Sequence, residues 1–204
     1  MASEADIANM ALSHLGIAEE IATLTEASDE ARACNRFYET CRDACLRDFP
    51  WPFATKFATL ALVEEIEDET NEDEWGYSYR YPTDCSKILR LRSGVRNDTR
   101  QSRAPYEIAK DTSGRIIYTD QEDATIKYIE TITDPERFTP DFVLMLSFRL
   151  ASMIAPRLTA GDPYKLGAQA YQKYDIEQRR AQATALNEGQ IDEEVDSEFI
   201  RGRE

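Results

Sequence analysis

The stretch DFPWPF, Asp48 to Phe53, divides the chain more sharply than any other. Proline disfavours helical geometry in the residue before it, so Pro50 ends whatever helix precedes it. Pro52 in turn holds Trp51 extended. Three rings, Phe49, Trp51 and Phe53, alternate with the two prolines, so the break is apolar as well as irregular. Such a composition suits a buried joint better than a solvent loop. Before it, apolar residues recur with helical spacing; after it, the period falls towards two. The joint is therefore expected to connect a helical part to a β part.

The helical part has clear starts and stops. Ser3 can cap a helix reaching about Leu15, with Glu4 and Asp6 in its first turn and Gly16 as a stop. Ile7, Met10, Ala11, His14 and Leu15 share its apolar stripe, so His14 is read as a partnered structural histidine. Ser28, Asp29 and Glu30 open a second helix whose buried stripe is Cys34, Phe37, Tyr38, Cys41, Cys45 and Phe49. The four cysteines include no CxxC pair and stand with a single histidine, which favours buried reduced thiols over a metal site.

Beyond the joint, ATKFATLALVEE fits either period, with its threonines favouring a strand. Val63 to Trp75 reads as an exposed acidic loop: Glu64, Glu65, Glu67, Asp68, Glu69, Glu72, Asp73 and Glu74 have no basic residue among them. Trp75, Tyr77, Tyr79 and Tyr81 then alternate as one strand face. Further strands are expected at Ser86 to Arg92, Tyr106 to Lys110, Arg115 to Thr119 and Ala124 to Ile132. The turn at Gly114 makes a hairpin of the middle pair. This β unit carries Arg80, Lys87, Arg90, Arg92, Arg96, Arg100, Arg103, Lys110 and Arg115. Tyrosines beside arginines raise the possibility of single-strand nucleic-acid binding. The plainer reading is a face of packed rings backed by an arginine-bearing exposed face, with an acidic protein segment as its next candidate partner.

The chain then returns to helix. Thr139 and Pro140 make a cap followed by proline at the first helical position. The run from Phe142 to Phe148 is apolar nearly all round, so that helix should be central, with Pro156 kinking it or ending its regular part. The last helix, Pro163 to about Asn187, has only a thin stripe: Leu166, Ala170, Tyr174, Ala181 and Ala185. A helix so polar elsewhere lies at a surface or against another subunit. From Glu188 onward the sequence is acidic and poor in core residues, except for Phe199 and Ile200 beside Arg201 and Arg203.

Charge and motifs narrow the function. With 39 acids against 24 Lys and Arg, the net charge of −15 argues against attraction to duplex DNA or an anionic membrane. No apolar run is long enough to span a bilayer, and MASEADIANM lacks the basic start of a signal peptide. A nucleophile elbow, a phosphate-binding glycine loop, HExxH and a dinucleotide fingerprint are all absent. No catalytic, cofactor or metal residue is assigned, and the chain is expected not to be an enzyme. Paired carboxylates acting on peptidoglycan or another polysaccharide remain one alternative. A nucleic-acid-binding module using the basic aromatic β unit is the other.

The order of motifs adds a resemblance. ANMALSHLG precedes the helix that runs into the joint read as PW.FA; YPTDC and then LTAGD follow. In this order they resemble the head-to-tail adaptors of tailed bacteriophages, of the tail tubular protein A type, over about residues 5 to 180. The resemblance implies an α+β, mainly helical fold. N- and C-terminal helices, residues 1–52 and 138–188, would form a bundle that makes the ring wall. An inserted antiparallel β unit, 53–137, would face the tail, and an extended C-terminal segment, 189–204, the portal.

Function and partners follow from the same resemblance. The protein would be a structural component of the virion neck, assembled in the host cytoplasm. It would form a dodecameric ring under the portal protein from subunits monomeric before assembly. The ring would extend the DNA channel and dock the tail nozzle component, DNA passing without specific binding and no membrane or cofactor being involved. Portal contact would fall on Phe199, Ile200, Arg201 and Arg203. Subunit packing would fall on Leu166, Ala170, Tyr174 and Ala181, and channel charge on Glu64, Glu65, Glu67, Asp68 and Glu69.

Overall fold

The computed structural model describes residues 2–65, 75–94, 103–159 and 163–188. It is an α+β protein. Among the described residues are four α-helices, α1 (Glu4–His14), α2 (Asp29–Asp48), α3 (Pro140–Leu158) and α4 (Pro163–Asn187). Seven strands form two antiparallel sheets: β1 (Thr55–Thr59), β2 (Leu62–Glu65), β3 (Tyr77–Arg80), β4 (Cys85–Leu91), β5 (Glu107–Asp111), β6 (Gly114–Thr119) and β7 (Thr125–Glu130). One sheet has the order β1-β7-β4 and the other β2-β3-β6-β5.

The helix starts follow from local chemistry. Ser3 Oγ accepts the Asp6 N–H at 3.1 Å, while the Asp6 carboxylate accepts the Ser3 N–H at 2.8 Å, a reciprocal cap. Ser28 Oγ accepts the Ala31 N–H at 3.2 Å at the head of α2. α2 stops at Asp48, and Phe49 is already extended. α3 begins on Pro140 and runs two residues past Pro156. A proline there cannot donate to the Ser152 carbonyl four residues back.

Two hydrophobic cores result. The first gathers the buried faces of all four helices, with Trp51, Ala54, Ile129, Ile132 and Phe138. α3 is its centre and packs against α1, α2 and α4. The second lies between the sheets and is built by Leu60, Tyr79, Tyr81, Ile88, Leu91, Ile117, Ile126 and Tyr128. Because β7 alternates, Ile126 and Tyr128 enter the second core while Ile129, on the opposite face, enters the first. The three-stranded sheet is thus held on both faces.

Several sequence expectations change. The start of the acidic loop expected from Val63 to Trp75 is a strand, since Leu62 to Glu65 form β2 and pair with Tyr79 to Tyr77; residues 66–74 lie outside the described residues. An edge strand tolerates these acids because its residues stay exposed. The aromatic alternation is cut to the strand Tyr77–Arg80, with Tyr79 and Tyr81 buried. The β unit is two sheets rather than one, and its Ile129 and Ile132 belong to the helical core. The sequence boundary at 53 and 137 is therefore not a boundary between cores.

Candidate functional site

The joint gathers several rings and hydrogen bonds at one place. Trp51 is 1% exposed. Its Nε1 donates to the Cys45 carbonyl at 2.9 Å, one of the last carbonyls of α2, which lacks a helical partner. Its ring meets Phe49 at 5.0 Å and Phe142 at 5.4 Å, both edge-on, and Phe53 at 6.2 Å. Thr55 Oγ1 donates to the Trp51 carbonyl at 2.7 Å. The end of α2, the start of α3 and the start of β1 are pinned at one point.

A polar cluster braces the β unit beside it. Lys56 Nζ lies 2.8 Å from Asp84 Oδ2 and 3.4 Å from Glu130 Oε1. Tyr128 Oη donates to Asp84, and Arg137 donates to Glu130 at 2.8 Å. Burial pushes the Asp84 carboxyl up, but bonds from Lys56 and Tyr128 outweigh it and leave the group below its ordinary value. The bond from Arg137 likewise holds Glu130 low. Both carboxyls stay ionised, so neither resembles the raised general acid that a glycoside hydrolase needs.

The other candidate chemical groups are absorbed by packing. His14 Nε2 is 3.0 Å from Ser147 Oγ, and its ring stacks on Phe148 at 3.8 Å. Cys34, Cys41, Cys45 and Cys85 are free and buried. Burial pushes the Cys34 and Cys45 thiols up to about 12 and Cys41 to about 11. No cluster of His, Cys, Asp or Glu that could hold a metal occurs among the described residues. No helix among them is long and apolar enough to cross a membrane.

The basic aromatic face is mostly used internally as well. Tyr79 Oη donates to the Gln121 carbonyl at 2.9 Å, deep in the second core. Tyr81 is covered by Arg115, whose guanidinium carbon lies 3.6 Å from the ring centroid. Arg80 pairs with Asp111 at 3.0 Å. Tyr79 and Tyr81 are therefore not available to stack on bases. Arg96 and Arg100 lie outside the described residues.

The thin stripe of α4 packs within its own chain, which corrects its assignment to subunit packing. Ala170, Tyr174 and Ala181 are buried in the helical core. Tyr174 Oη donates to Asp48 Oδ2 at 3.0 Å, and Arg149 stands 4.9 Å above its ring. Burial, then Cys45 and Asp48, push the Tyr174 hydroxyl well up. Leu166 is half-buried and lines an open groove of about 440 Å³ with His14, Phe148, Lys173 and Ile176. What α4 offers outward is different: Tyr164, Tyr171 and Leu186, 78%, 50% and 62% exposed, fall near one flank of the helix. Sequence reading passed over them because they sit off the regular stripe among polar neighbours.

Gly167 was also passed over. A Cβ there would lie 3.1 Å from the Ser152 carbonyl oxygen. That is the carbonyl which Pro156 leaves without a helical donor, so proline on α3 and glycine on α4 form one close contact. Of the expected channel charges, Glu64 and Glu65 are exposed on β2, while Glu67, Asp68 and Glu69 lie outside the described residues. So do Phe199, Ile200, Arg201 and Arg203.

The described residues thus define an α+β protein with a buried aromatic joint and exposed apolar side chains on α4. No family model matches the chain, and no curated protein matches it.

Proposed function

We propose that this protein is a structural head-to-tail adaptor of a phage virion, acting as a ring under the portal. One observation carries the reading: the motifs behind the resemblance are joints in the fold. Phe49 to Phe53 ties α2 and α3 to β1. Tyr81 to Cys85 carries the chain from one sheet to the other, with Asp84 anchored by Lys56 and Tyr128. Leu158 and Thr159 begin the link from α3 to α4. Motifs that shape connections suit a protein whose work is to hold two partners at a fixed separation.

In this reading the four helices form a bundle that makes the ring wall. The exposed flank of α4, through Tyr164, Tyr171 and Leu186, takes the neighbouring copy in place of the stripe that the chain buries itself. The β unit faces the tail nozzle, and residues 189–204 face the portal. Acids at Glu64 and Glu65, continuing through Glu67, Asp68 and Glu69, rim the channel. They repel passing phosphates within about 10 Å at physiological salt. The chain works without a cofactor and without catalysis.

Two experiments test the parts. Deleting residues 189–204 is expected to leave a folded chain that sediments without the portal; co-sedimentation equal to the full chain overturns the portal assignment. Changing Glu64, Glu65, Glu67, Asp68 and Glu69 together to lysine is expected to slow DNA ejection. Ejection at the unaltered rate removes these residues from the channel.

A further inference from the structure

The outer face of the three-stranded sheet carries a feature that the adaptor reading does not use. Thr55, Phe57 and Thr59 of β1 stand opposite Ile129, Lys127 and Thr125 of β7, so all six share this face. Its Ile129 end is buried against the helices. Further out, Phe57 is 51% exposed. The Arg92 guanidinium carbon lies 5.4 Å from the Phe57 centroid and Lys127 Nζ lies 5.7 Å from it. On its other side Lys127 stands opposite Arg90. Like charges across neighbouring strands repel, a cost that an anionic occupant offsets. Burial and Arg90 together lower the Lys127 ammonium below its usual range, in keeping with that repulsion.

The chain supplies a complementary occupant. α4 ends at Asn187 beside the joint, where Thr184, Ala185 and Glu188 share a small hollow with Trp51, Phe53 and Thr139. Phe57 is four residues along from Phe53, at most roughly 13 Å of extended chain. Asp192 is four residues beyond Glu188, a matching reach. Glu193, Glu194, Asp196 and Glu198 follow, with Val195 and Phe199 among them. Residues 189–204 span roughly 50 Å at full extension, ample to cross this face.

We propose that the acidic segment Asp192–Glu198 docks, within its own chain, on the cationic aromatic face formed by Phe57, Arg92 and Lys127. The carboxylates meet the two cations, and Val195, the one aliphatic residue of the segment, covers the Phe57 ring. A nucleic-acid strand is a poorer occupant. Sequence-tolerant strand binding needs successive stacking rings along a groove, whereas this face presents Phe57 with Tyr79 and Tyr81 buried behind it. The inference stands apart from the adaptor reading: it concerns the isolated chain, before residues 189–204 meet a portal, and it is measured there.

The test places a nitroxide on Ser197→Cys of the full-length, isotope-labelled protein; the native thiols are buried and resist labelling. Amide signals of Phe57 and Lys127 are expected to broaden at about 20 mM salt and to recover at about 500 mM. Lys127→Glu should abolish the broadening, and Phe57→Ala should weaken it. Unbroadened signals, or broadening that Lys127→Glu leaves in place, overturn the proposal. So does broadening that arises only from a nitroxide on a separate, unlabelled copy, which would make a second molecule the occupant. Oligothymidylate that shifts Phe57 and Lys127 while the nitroxide has no effect would also overturn it, in favour of a nucleic-acid surface.

Discussion

Trp51 ties three elements together with one side chain. Its ring fills the space between α2, α3 and β1, and its N–H satisfies a helix-end carbonyl. Trp51→Ala should cost about 3–5 kcal/mol, read as a lowered urea midpoint. A change of under about 1 kcal/mol would mean that the joint collapses around the gap. Cys34, Cys41 and Cys45 were legible as buried because they follow one helical stripe. Their raised thiols should react with a disulfide reagent at mildly alkaline pH only as fast as the chain opens. Immediate reaction of Cys34 or Cys45 in the folded protein would contradict that.

His14 makes a pH prediction with a definite sign. Burial lowers its folded pKa below the ordinary value of 6.5. The unfolded chain therefore takes up this proton first. The stability His14 contributes is complete above about pH 6.5 and is lost as pH falls through its lower folded value. His14→Gln should flatten the loss in urea midpoint between about pH 7.5 and about pH 5.5. An unchanged slope would remove His14 as its source.

Among the elements, α4 teaches most about what a sequence withholds. Its stripe was legible, but the surface that stripe meets was not, because a periodicity names a face and not its neighbour. In the sequence Ala170 and Ala181 read as part of a thin stripe meant for a neighbouring subunit; they lie in the helical core, against α3. Gly167 drew no reading from the sequence at all. Its reason appears only when the Ser152 carbonyl is placed 3.1 Å from where a Cβ would stand. Gly167→Val should lower stability by about 1–3 kcal/mol, seen as an earlier thermal transition with α4 amides exchanging faster. Equal or greater stability would show that α3 and α4 can separate freely.

The β elements show the opposite balance. The hairpin at Gly114 was readable because its φ of +137° belongs to glycine. The division into two sheets was not, since alternation sets which side chains share a face but not which strands pair. In the sequence β2 reads two ways, as the end of the strand ATKFATLALVEE and, from Val63, as a loop, because its acids mimic one. Only the pairing of Leu62 with Tyr79 and Glu65 with Tyr77 makes it a strand.

For the whole molecule, the short stretch that first divided the sequence is built into the helical core, and β7, with Ile129 on one face and Ile126 and Tyr128 on the other, joins that core to the second. Pro50 and Pro52 stop one helix and turn the chain, while the rings around them join the parts into one frame. A frame with exposed faces on α4 and on both sheets is suited to standing between partners. The net charge of −15 repeats around any ring that such chains form. Imaging the purified protein mixed with the cognate portal is the most direct measurement. An added ring of twelve subunits beneath the portal, with a central channel, is the result expected. A portal that stays bare at saturating protein would contradict the adaptor function outright.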